Sequence, residues 1–258
     1  MSAGASPTGI ERGDERAAAR KIREMFGRVA PRYDLLNRLL SARIDVRWRR
    51  RLVKRLRPWL ERPDLRYLDL CCGTGDVLLA LEQERRRLLG GRGGGGFGSD
   101  FCRPMLAGAA HKLARHGLHT PLVEADALEF PLPDGSVDLI TIAFGYRNLT
   151  NYERGLGEFR RLLRPGGCLA VLEFSQPRTP IWGPLFGLYF RHVLPRIGGA
   201  ISGAGDAYSY LQRSVEAFPS PEQTSRSMLA AGFEAVPFER LTGGVACLHL
   251  AKVGNSRG

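Results

Sequence analysis

The run Tyr67-Leu68-Asp69-Leu70-Cys71-Cys72-Gly73-Thr74-Gly75-Asp76 joins a short apolar segment to a turn with two glycines, and a helical pattern follows it. This layout is typical of the first strand, ligand-facing loop and first helix of a doubly wound sheet. Because Gly73 and Gly75 lack a Cβ, backbone N–H groups at the helix start can approach a ligand. The run lacks the first glycine of a dinucleotide fingerprint and the lysine of a phosphate-binding loop. It therefore favours a nucleoside ligand held by its carboxylate and ribose, with S-adenosylmethionine as the obvious candidate, over a turn without a ligand.

Apolar segments and helical patterns alternate along the rest of the chain. Further strands are predicted at 97–100, 122–127, 137–144 and 168–174. The first of these looks short and weak, because it follows a glycine-rich run and glycine packs little. Strands that alternate with helices pair in parallel. Residues 233–253 supply two closing strands with Gly243-Gly244 as their turn, so the sequence predicts an α/β fold with a mostly parallel sheet.

Acidic residues stand at or near the ends of three successive predicted strands. They are Asp69, Asp100 and Asp126. An acid at the end of the second strand of such a sheet accepts hydrogen bonds from ribose hydroxyls, and Asp126 is placed to contact an adenine amino group. Each acid alone is compatible with an ordinary surface position, but the three together favour one ligand site.

Composition and charge limit the classes of partner. The chain has 258 residues, 43% of them hydrophobic and 25% charged, which fits one large globular α/β domain. Its five cysteines lack metal-ligand spacing, which predicts reduced thiols in the cytosol and no metal site. A net charge of +12 predicts an anionic partner surface, either nucleic acid or anionic lipid.

The order of segments predicts one domain with two additions. Residues 1–19 are small and polar without an apolar core, so we predict a disordered tail rather than a secretory signal. Residues 20–258 form the domain, with an N-terminal helical cap at 20–66 and a substrate or lid insertion at 178–212. The apolar segment 181–194 is too short to span a bilayer, so it is interpreted as a lid helix or a core helix.

Residues 43–66 are strongly basic and carry apolar side chains at helical spacing. Trp48, Leu52, Leu56 and Trp59 mark one face of the predicted helix. Such a helix is typical of proteins that lie on anionic membranes or nucleic acid. A merely solvated helix face is the equally weighted alternative.

The segment after the fourth predicted strand, Gly145-Tyr146-Arg147-Asn148, carries candidate functional side chains. The carboxyl end of that strand borders the ligand crevice in a doubly wound sheet. Arg147 could also simply anchor a loop.

Several of these segments together resemble the quinone-biosynthesis C-methyltransferase family, whose members act in the menaquinone, ubiquinone and phylloquinone pathways. The resemblance covers nearly the whole chain. Its stretches are 25–41, 68–76, 126–151 with Phe144-Gly145-Tyr146-Arg147-Asn148 at its centre, 163–177, and 208–219 followed by Ala231-Gly232-Phe233. The Phe-Gly-x-Arg-Asn segment and the opening with Met25-Phe26, Tyr33-Asp34 and Asn37 are the most family-specific of these.

The resemblance implies a class I S-adenosylmethionine-dependent methyltransferase fold, with a seven-stranded Rossmann-like sheet and helices on both faces. It implies S-adenosylmethionine as donor and a prenylated quinol as acceptor, in the conversion of demethylmenaquinol to menaquinol. By motif position, Thr74, Asp100 and Asp126-Ala127 inherit the donor-binding role, beside Asp69, Gly73 and Gly75. Ala143 stands where many members carry serine.

The reaction itself suggests further roles. A hydroquinone ring carbon becomes nucleophilic when a neighbouring hydroxyl loses its proton, so a cation near the developing phenolate should accelerate transfer. We predict Arg147 as that cation, with Asn148 and Tyr33 beside it, and Tyr146 and Tyr210 as substrate-facing residues. The base is unassigned.

Other functions stay open at this point. The equivalent ubiquinone or phylloquinone step is the first alternative, and a nucleic-acid methyltransferase is a weaker one, because its Asn/Asp-Pro-Pro-aromatic or Pro-Cys motif is absent. A non-catalytic methyltransferase-like binding protein is a third. We expect a cytoplasmic protein at the membrane periphery that binds no nucleic acid, with a homodimer left open as its oligomeric state.

Overall fold

The computed structural model describes residues 15–30, 41, 43–177, 187–188 and 205–255, with the side chains of 205–208 excepted. Its helices are α1 (Glu15–Val29), α2 (Ile44–Leu60), α3 (Asp76–Leu88), α4 (Arg103–Arg115), α5 (Tyr152–Leu162), α6 (Gly205–Ala217) and α7 (Pro221–Ala230). Its strands are β1 (Tyr67–Leu70), β2 (Gly96–Asp100), β3 (Leu122–Glu124), β4 (Val137–Ala143), β5 (Leu163–Phe174), β6 (Phe238–Leu241) and β7 (Ala246–Lys252).

These strands form one seven-stranded sheet in the order β3-β2-β1-β4-β5-β7-β6. Strands β1 to β5 pair in parallel, and β7 runs antiparallel to both β5 and β6. Nearly every residue of β1 and β4 is buried, as expected for strands covered on both faces. The predicted mostly parallel sheet is confirmed.

Helices cover both faces of the sheet. On one face, Leu52 of α2 and Leu78 of α3 belong to a single buried apolar cluster. On the other face, Phe159 of α5 and Met228 of α7 pack into a second cluster. This arrangement brings the carboxyl ends of the parallel strands to one edge, where the loops that follow them converge.

The N-terminus differs from its predicted form. Helix α1 begins at Glu15, so residues 15–19 are helical rather than part of a tail. The helix is held because Ala18, Ile22, Met25 and Val29 are buried at helical spacing. Residues 1–14, residues 31–40 of the predicted helical cap and most of the lid insertion, including all of 181–194 except 187–188, lie outside the described residues.

Strand β2 shows why a glycine-rich sequence can still form a central strand. A Cβ on Gly96 would lie 2.0 Å from the Tyr67 ring, and one on Gly98 would lie 2.7 Å from Leu78. The glycines therefore allow close packing rather than weakening the strand. The predicted basic helix is confirmed as α2, which has Trp48 and Leu52 on its buried face.

At the amino edge of the sheet, where the parallel strands begin, charged side chains are paired with other groups of the protein. Arg85 is 1% exposed, and its guanidinium donates to the carbonyls of Leu60, Arg62 and Gly94, each at 3.0 Å. Asp138 accepts the Arg66 N–H at 2.9 Å. Among the helices that the structure describes, none is both long and apolar enough to cross a membrane.

Candidate functional site

A cavity opens at the carboxyl edge of the sheet, between the loops that follow β1, β2, β3 and β4. Residues 70–74 and 143–145 form part of its wall, together with Asp100 at the end of β2 and residues 125–128 after β3. Helices α1 and α2 also contribute to it, through Phe26 and Arg49. The crevice therefore lies where the topology of the fold places a ligand.

The glycine loop presents its backbone to this cavity. Gly73 has a φ of +54°, and a Cβ added to it would meet nothing within 4 Å. A side chain at Gly73 would therefore project into open space beside the backbone that a ligand must approach. Gly75 (φ +79°) has another role, since its Cβ would lie 3.0 Å from the Ala109 Cβ and would push α3 away from α4.

Asp100 joins the loop to the second strand. One carboxylate oxygen accepts the Gly73 N–H and the other accepts the Cys102 N–H, both at 2.9 Å. Burial raises the pKa of this carboxyl above its ordinary value, while these N–H bonds oppose the increase. Each carboxylate oxygen has two lone pairs, so Asp100 retains capacity for ribose hydroxyls on the cavity side.

Asp126 and Ala127 form the wall next to Asp100. Asp126 accepts the Leu128 N–H at 2.9 Å, which orients its carboxylate at the cavity, and Ala127 lines the same wall. Ala143 lines it at the end of β4. A ribose acceptor, an adjacent acid and an open glycine backbone are the groups that an adenosine-containing ligand requires, so the residues present fit S-adenosylmethionine.

Asp69 lies beneath this cavity. It is 1% exposed, and its Oδ1 accepts the Thr141 hydroxyl at 2.5 Å. Burial raises the pKa of Asp69 to about 7, and the nearby charge of Asp100 adds to the increase. The backbone is left-handed at Cys71 (φ 53°) and Phe144 (φ 58°), two non-glycine residues of the cavity wall, and such a conformation costs free energy.

A second group of polar side chains lies around the loop after β4. Arg147 is buried and pairs with Glu173, with 2.8 Å between Nη1 and Oε1. The same guanidinium donates to the Phe144 carbonyl. Next to it, Asn148 lines the cavity and accepts the Tyr210 hydroxyl at 3.1 Å.

Comparison with known proteins agrees with this geometry. Residues 14–253 match the model of the ubiE/COQ5 methyltransferase family. The chain belongs to this family. The family and the class I fold together make it an S-adenosylmethionine-dependent methyltransferase.

Relatives with similar sequences cover the methyltransferase almost end to end. A demethylmenaquinone methyltransferase of Thermus thermophilus is 50% identical over 88% of this chain and 98% of its own length. That of Deinococcus radiodurans is 43% identical over 91% of this chain and 93% of its own length. A ubiquinone/menaquinone biosynthesis C-methyltransferase of Geobacter sp. is 42% identical over 89% and 95%.

Solved structures support the fold alone. A methyltransferase from Aquifex aeolicus matches with a TM-score of 0.54 and 19% identity over 77% of this chain and 87% of its own. A possible histamine N-methyltransferase from Thermotoga maritima matches with a TM-score of 0.58 and 17% identity over 89% and 98%. The predicted class I fold is confirmed.

The methyltransferase brings most of the predicted donor-binding residues to one cavity. Those that line it are Gly73, Thr74, Asp100, Asp126, Ala127 and Ala143. Asp69 and Gly75 are not among its lining residues, and they support the loop from beneath and from behind. Their predicted contact with the donor stays a prediction.

Two of the substrate-side predictions fall on side chains that do not line the cavity. Tyr146 is 2% exposed, and its ring stacks on Tyr152 at 5.0 Å and meets Phe218 edge-on. The side chain is therefore buried among aromatic rings, and its contact with the substrate stays a prediction. Arg147 does not line the cavity, and its charge is balanced by Glu173. Tyr33 lies outside the described residues.

Among the cavity residues that sequence reasoning missed are Ala19, Phe26, Arg49 and Asp76. Arg49 comes from α2 and lies 3.2 Å from Asp76 of α3. Its neighbour Trp48 packs against Phe144, with 6.0 Å between ring centroids. The spacing of Asp45 and Arg49 by four residues was the available signal, since it predicts an ion pair on one helix face.

Proposed function

We propose that this protein methylates a ring carbon of a prenylated demethylmenaquinol. The observation that carries the proposal is the 50% identity to a demethylmenaquinone methyltransferase over 98% of that relative. The cavity adds support, because its donor side fits an adenosine ligand and its Asn148 edge continues into a polar group around Tyr210.

The acceptor should be the reduced quinol. An oxidised quinone ring is electron-poor and does not attack an electrophilic carbon, whereas a quinol becomes nucleophilic when a hydroxyl is deprotonated. When bound, S-adenosylmethionine supplies a methyl group on a positively charged sulfur. Holding the ring carbon in line with that methyl group accounts for much of the rate.

Asn148 and Tyr210 are the proposed acceptor contacts. Their hydrogen bond sets the orientation of the Asn148 side chain at the cavity edge. Burial raises the pKa of Tyr210, Arg147 lowers it and Glu173 raises it, so this hydroxyl stays protonated at neutral pH. Its proton is donated to Asn148, and its oxygen can accept a hydrogen bond from a quinol hydroxyl. Tyr33 remains a predicted contact.

Arg147 acts in this proposal as a positioning residue. The Arg147 guanidinium donates to the Phe144 carbonyl, and the Arg147 backbone N–H donates to Glu173 at 3.1 Å. These two hydrogen bonds fix the turn that carries Asn148. A misplacement of about 1 Å can cost about 10² in turnover, and we expect a loss of that order in Arg147→Ala. Binding of the donor should change little.

The test measures methyl transfer to demethylmenaquinone with and without dithionite, for the parent protein and for Tyr210→Phe and Arg147→Ala. We expect turnover only when dithionite has converted the acceptor to the quinol. Both variants should have a lower kcat and an unchanged Kd for the donor. The double variant Arg147→Met/Glu173→Gln removes both charges and controls for the carboxylate that Arg147→Ala leaves buried. Equal rates with the oxidised quinone would contradict the proposed chemistry.

A benzoquinol acceptor is the second candidate, because the Geobacter relative carries a name that covers both ubiquinone and menaquinone biosynthesis. Competition between a demethylmenaquinol and the ubiquinone-pathway benzoquinol in one reaction decides between them. We expect preferential methylation of the naphthoquinol. The reverse preference would move the protein to the ubiquinone step.

We further propose that α2 rests on anionic membrane at the cytoplasmic face. Arg51 and Arg57 pair with Glu239 and Glu84. The exposed basic residues that follow one side of the helix are Arg43, Arg47, Arg50 and Lys54. Each contributes at most about 1 kcal/mol near an anionic surface, and salt screens the contribution.

Vesicle co-sedimentation tests the membrane contact. Binding should need acidic lipid, fall with salt and decrease in Arg47→Glu/Arg50→Glu. The charge-matched control Arg154→Glu/Arg160→Glu lies on α5, which covers the other face of the sheet, and should bind as the parent does. Binding to neutral vesicles at high salt would rule out the electrostatic contact. A homodimer remains an untested prediction.

A further inference from the structure

One part of the cavity wall is charged in a way that the adenosine-binding residues do not explain. Arg49 of α2 and Asp76 of α3 both line the cavity. Their side chains are 13% and 23% exposed, and Arg49 Nη2 lies 3.2 Å from Asp76 Oδ2. A positive and a negative group therefore stand side by side next to Thr74, which lines the same wall.

The charged side chains of the cavity wall indicate which ligand groups Arg49 and Asp76 could bind. Among the described residues that line the cavity, Arg49 is the one basic side chain. The methyl donor carries a carboxylate and an ammonium at the end opposite its adenine. Asp100, Asp126 and Ala127 suit the adenosine, so the zwitterionic end requires a cation and an anion elsewhere in the cavity.

We propose that Arg49 binds the carboxylate of the donor's amino-acid group and that Asp76 binds its ammonium. The proposal rests on the assignment of S-adenosylmethionine as donor, and it is independent of the acceptor. A guanidinium has five N–H donors, and the shortest contacts of Arg49 with protein both use Nη2. Arg49 therefore retains donors for a carboxylate, with which arginine pairs in bidentate geometry.

The surroundings of Arg49 hold it in place before a ligand arrives. Asp45, one turn earlier on α2, contacts Arg49 Nη2 at 2.6 Å. Asp45 is in turn fixed by the Ser41 hydroxyl, which donates to it at 2.5 Å. On the other side, Lys112 contacts the second oxygen of Asp76 and donates to the Thr74 hydroxyl at 3.2 Å. This chain of contacts orients the pair toward the cavity.

The competing interpretation is that Arg49 merely joins α2 to α3. Three adenosine ligands separate the two roles in equilibrium binding measurements without any acceptor. S-adenosylhomocysteine has both charged groups, decarboxylated S-adenosylmethionine lacks the carboxylate, and 5′-methylthioadenosine lacks both. A structural loss weakens all three ligands, whereas a lost carboxylate contact weakens only the first.

For Arg49→Gln we expect the Kd of S-adenosylhomocysteine to rise about 10- to 100-fold, as for loss of a charged hydrogen bond. The Kd values of the other two ligands should change less than about threefold. Asp76→Asn should weaken the first two ligands and spare 5′-methylthioadenosine. Arg57→Gln is the matched control, since Arg57 lies on the same helix in an ion pair with Glu84 and does not line the cavity.

Two results would overturn the assignment: equal weakening of all three ligands by Arg49→Gln, or unchanged binding of S-adenosylhomocysteine. Binding of 5′-methylthioadenosine by the variant also reports that the cavity has folded. If the parent binds none of the three ligands, the donor site itself is refuted, and the proposed function fails with it. A parent that binds them but does not methylate a quinol leaves the Arg49 assignment intact.

Discussion

The two edges of the sheet hold buried charges in different ways. At the amino edge, Arg85 donates to three backbone carbonyls of its own chain. At the carboxyl edge, Asp69 and Asp100 keep carboxyls whose pKa burial raises, beside an open cavity. The first edge is arranged for stability. The second holds charges and strained backbone at a cost that a ligand can offset.

The largest effect should follow from removing the charge at the amino edge. Arg85→Met leaves several buried carbonyls without a donor, so the free energy of unfolding should fall by about 3–5 kcal/mol. Urea unfolding measures the loss. The folded fraction should bind S-adenosylhomocysteine with the parent's affinity, and a large loss of that affinity would show that the two edges are not separate.

A pH-dependent effect should distinguish Asp69. Its pKa is raised from 3.8 to about 7 in the folded state, so the folded protein holds this proton more tightly than the unfolded chain. The contribution of Asp69 to stability should therefore be most favourable at low pH and fall by about 2–3 kcal/mol between pH 5 and pH 8.

Asp69→Asn should remove that contribution, so the variant should lose less stability than the parent over the same pH interval. Urea unfolding at both pH values provides the measurement. Because His249 also has a shifted pKa, lowered by burial, the difference between variant and parent is the informative quantity. Identical pH profiles would contradict the raised pKa of Asp69.

A smaller effect, on binding rather than folding, is expected for Asp100→Asn. The amide keeps one acceptor for the backbone but loses acceptor capacity for ribose hydroxyls, which should weaken donor binding by roughly 1–3 kcal/mol. Calorimetry measures this loss of donor affinity. Glu124→Gln is the control, because Glu124 ends β3, pairs with Arg23 and does not line the cavity. Unchanged donor affinity in Asp100→Asn would remove Asp100 from the ribose site.

The smallest effect should come from an exposed pair. Arg57 is 44% exposed in its contact with Glu84, and such pairs contribute about 0–1 kcal/mol. Arg57→Gln should therefore leave the urea midpoint almost unchanged. If Arg57→Gln lost as much unfolding free energy as Arg85→Met, the difference in burial would not explain how much each arginine contributes to stability.

Much of the fold was predictable because local patterns determine it. Buried apolar runs separated by helical periodicity give β1 to β5 and their parallel pairing, and Gly243-Gly244 lies in the short helical turn between the two closing strands. Helix α1 was harder to predict from sequence, since its burial depends on contact with α4 and the residues after β2, such as Cys102. The glycines of β2 suggested weakness because their neighbours, Tyr67 and Leu78, were unknown.

The site was predictable in part. Acids that follow successive strands must converge at one edge, so Asp100 and Asp126 could be found from topology alone. Tyr146 and Arg147 follow a strand that ends at the same edge, but their side chains turn inward to Phe218 and Glu173. Which arginine of the basic helix reaches the cavity depends on how α2 packs against α3. The spacing of Asp45 and Arg49 indicates an ion pair, but it does not show that this side of the helix faces the cavity.

Asp69, the buried acid beneath the cavity, has a consequence for the end of each catalytic cycle. Methyl transfer converts a positively charged sulfonium into a neutral thioether. As pH rises past about 7 and Asp69 ionises, its charge should attract the sulfonium but not the thioether, and the linkage is reciprocal. The ratio of product affinity to donor affinity should therefore fall with rising pH, so that product inhibition becomes weaker when the floor of the cavity is ionised.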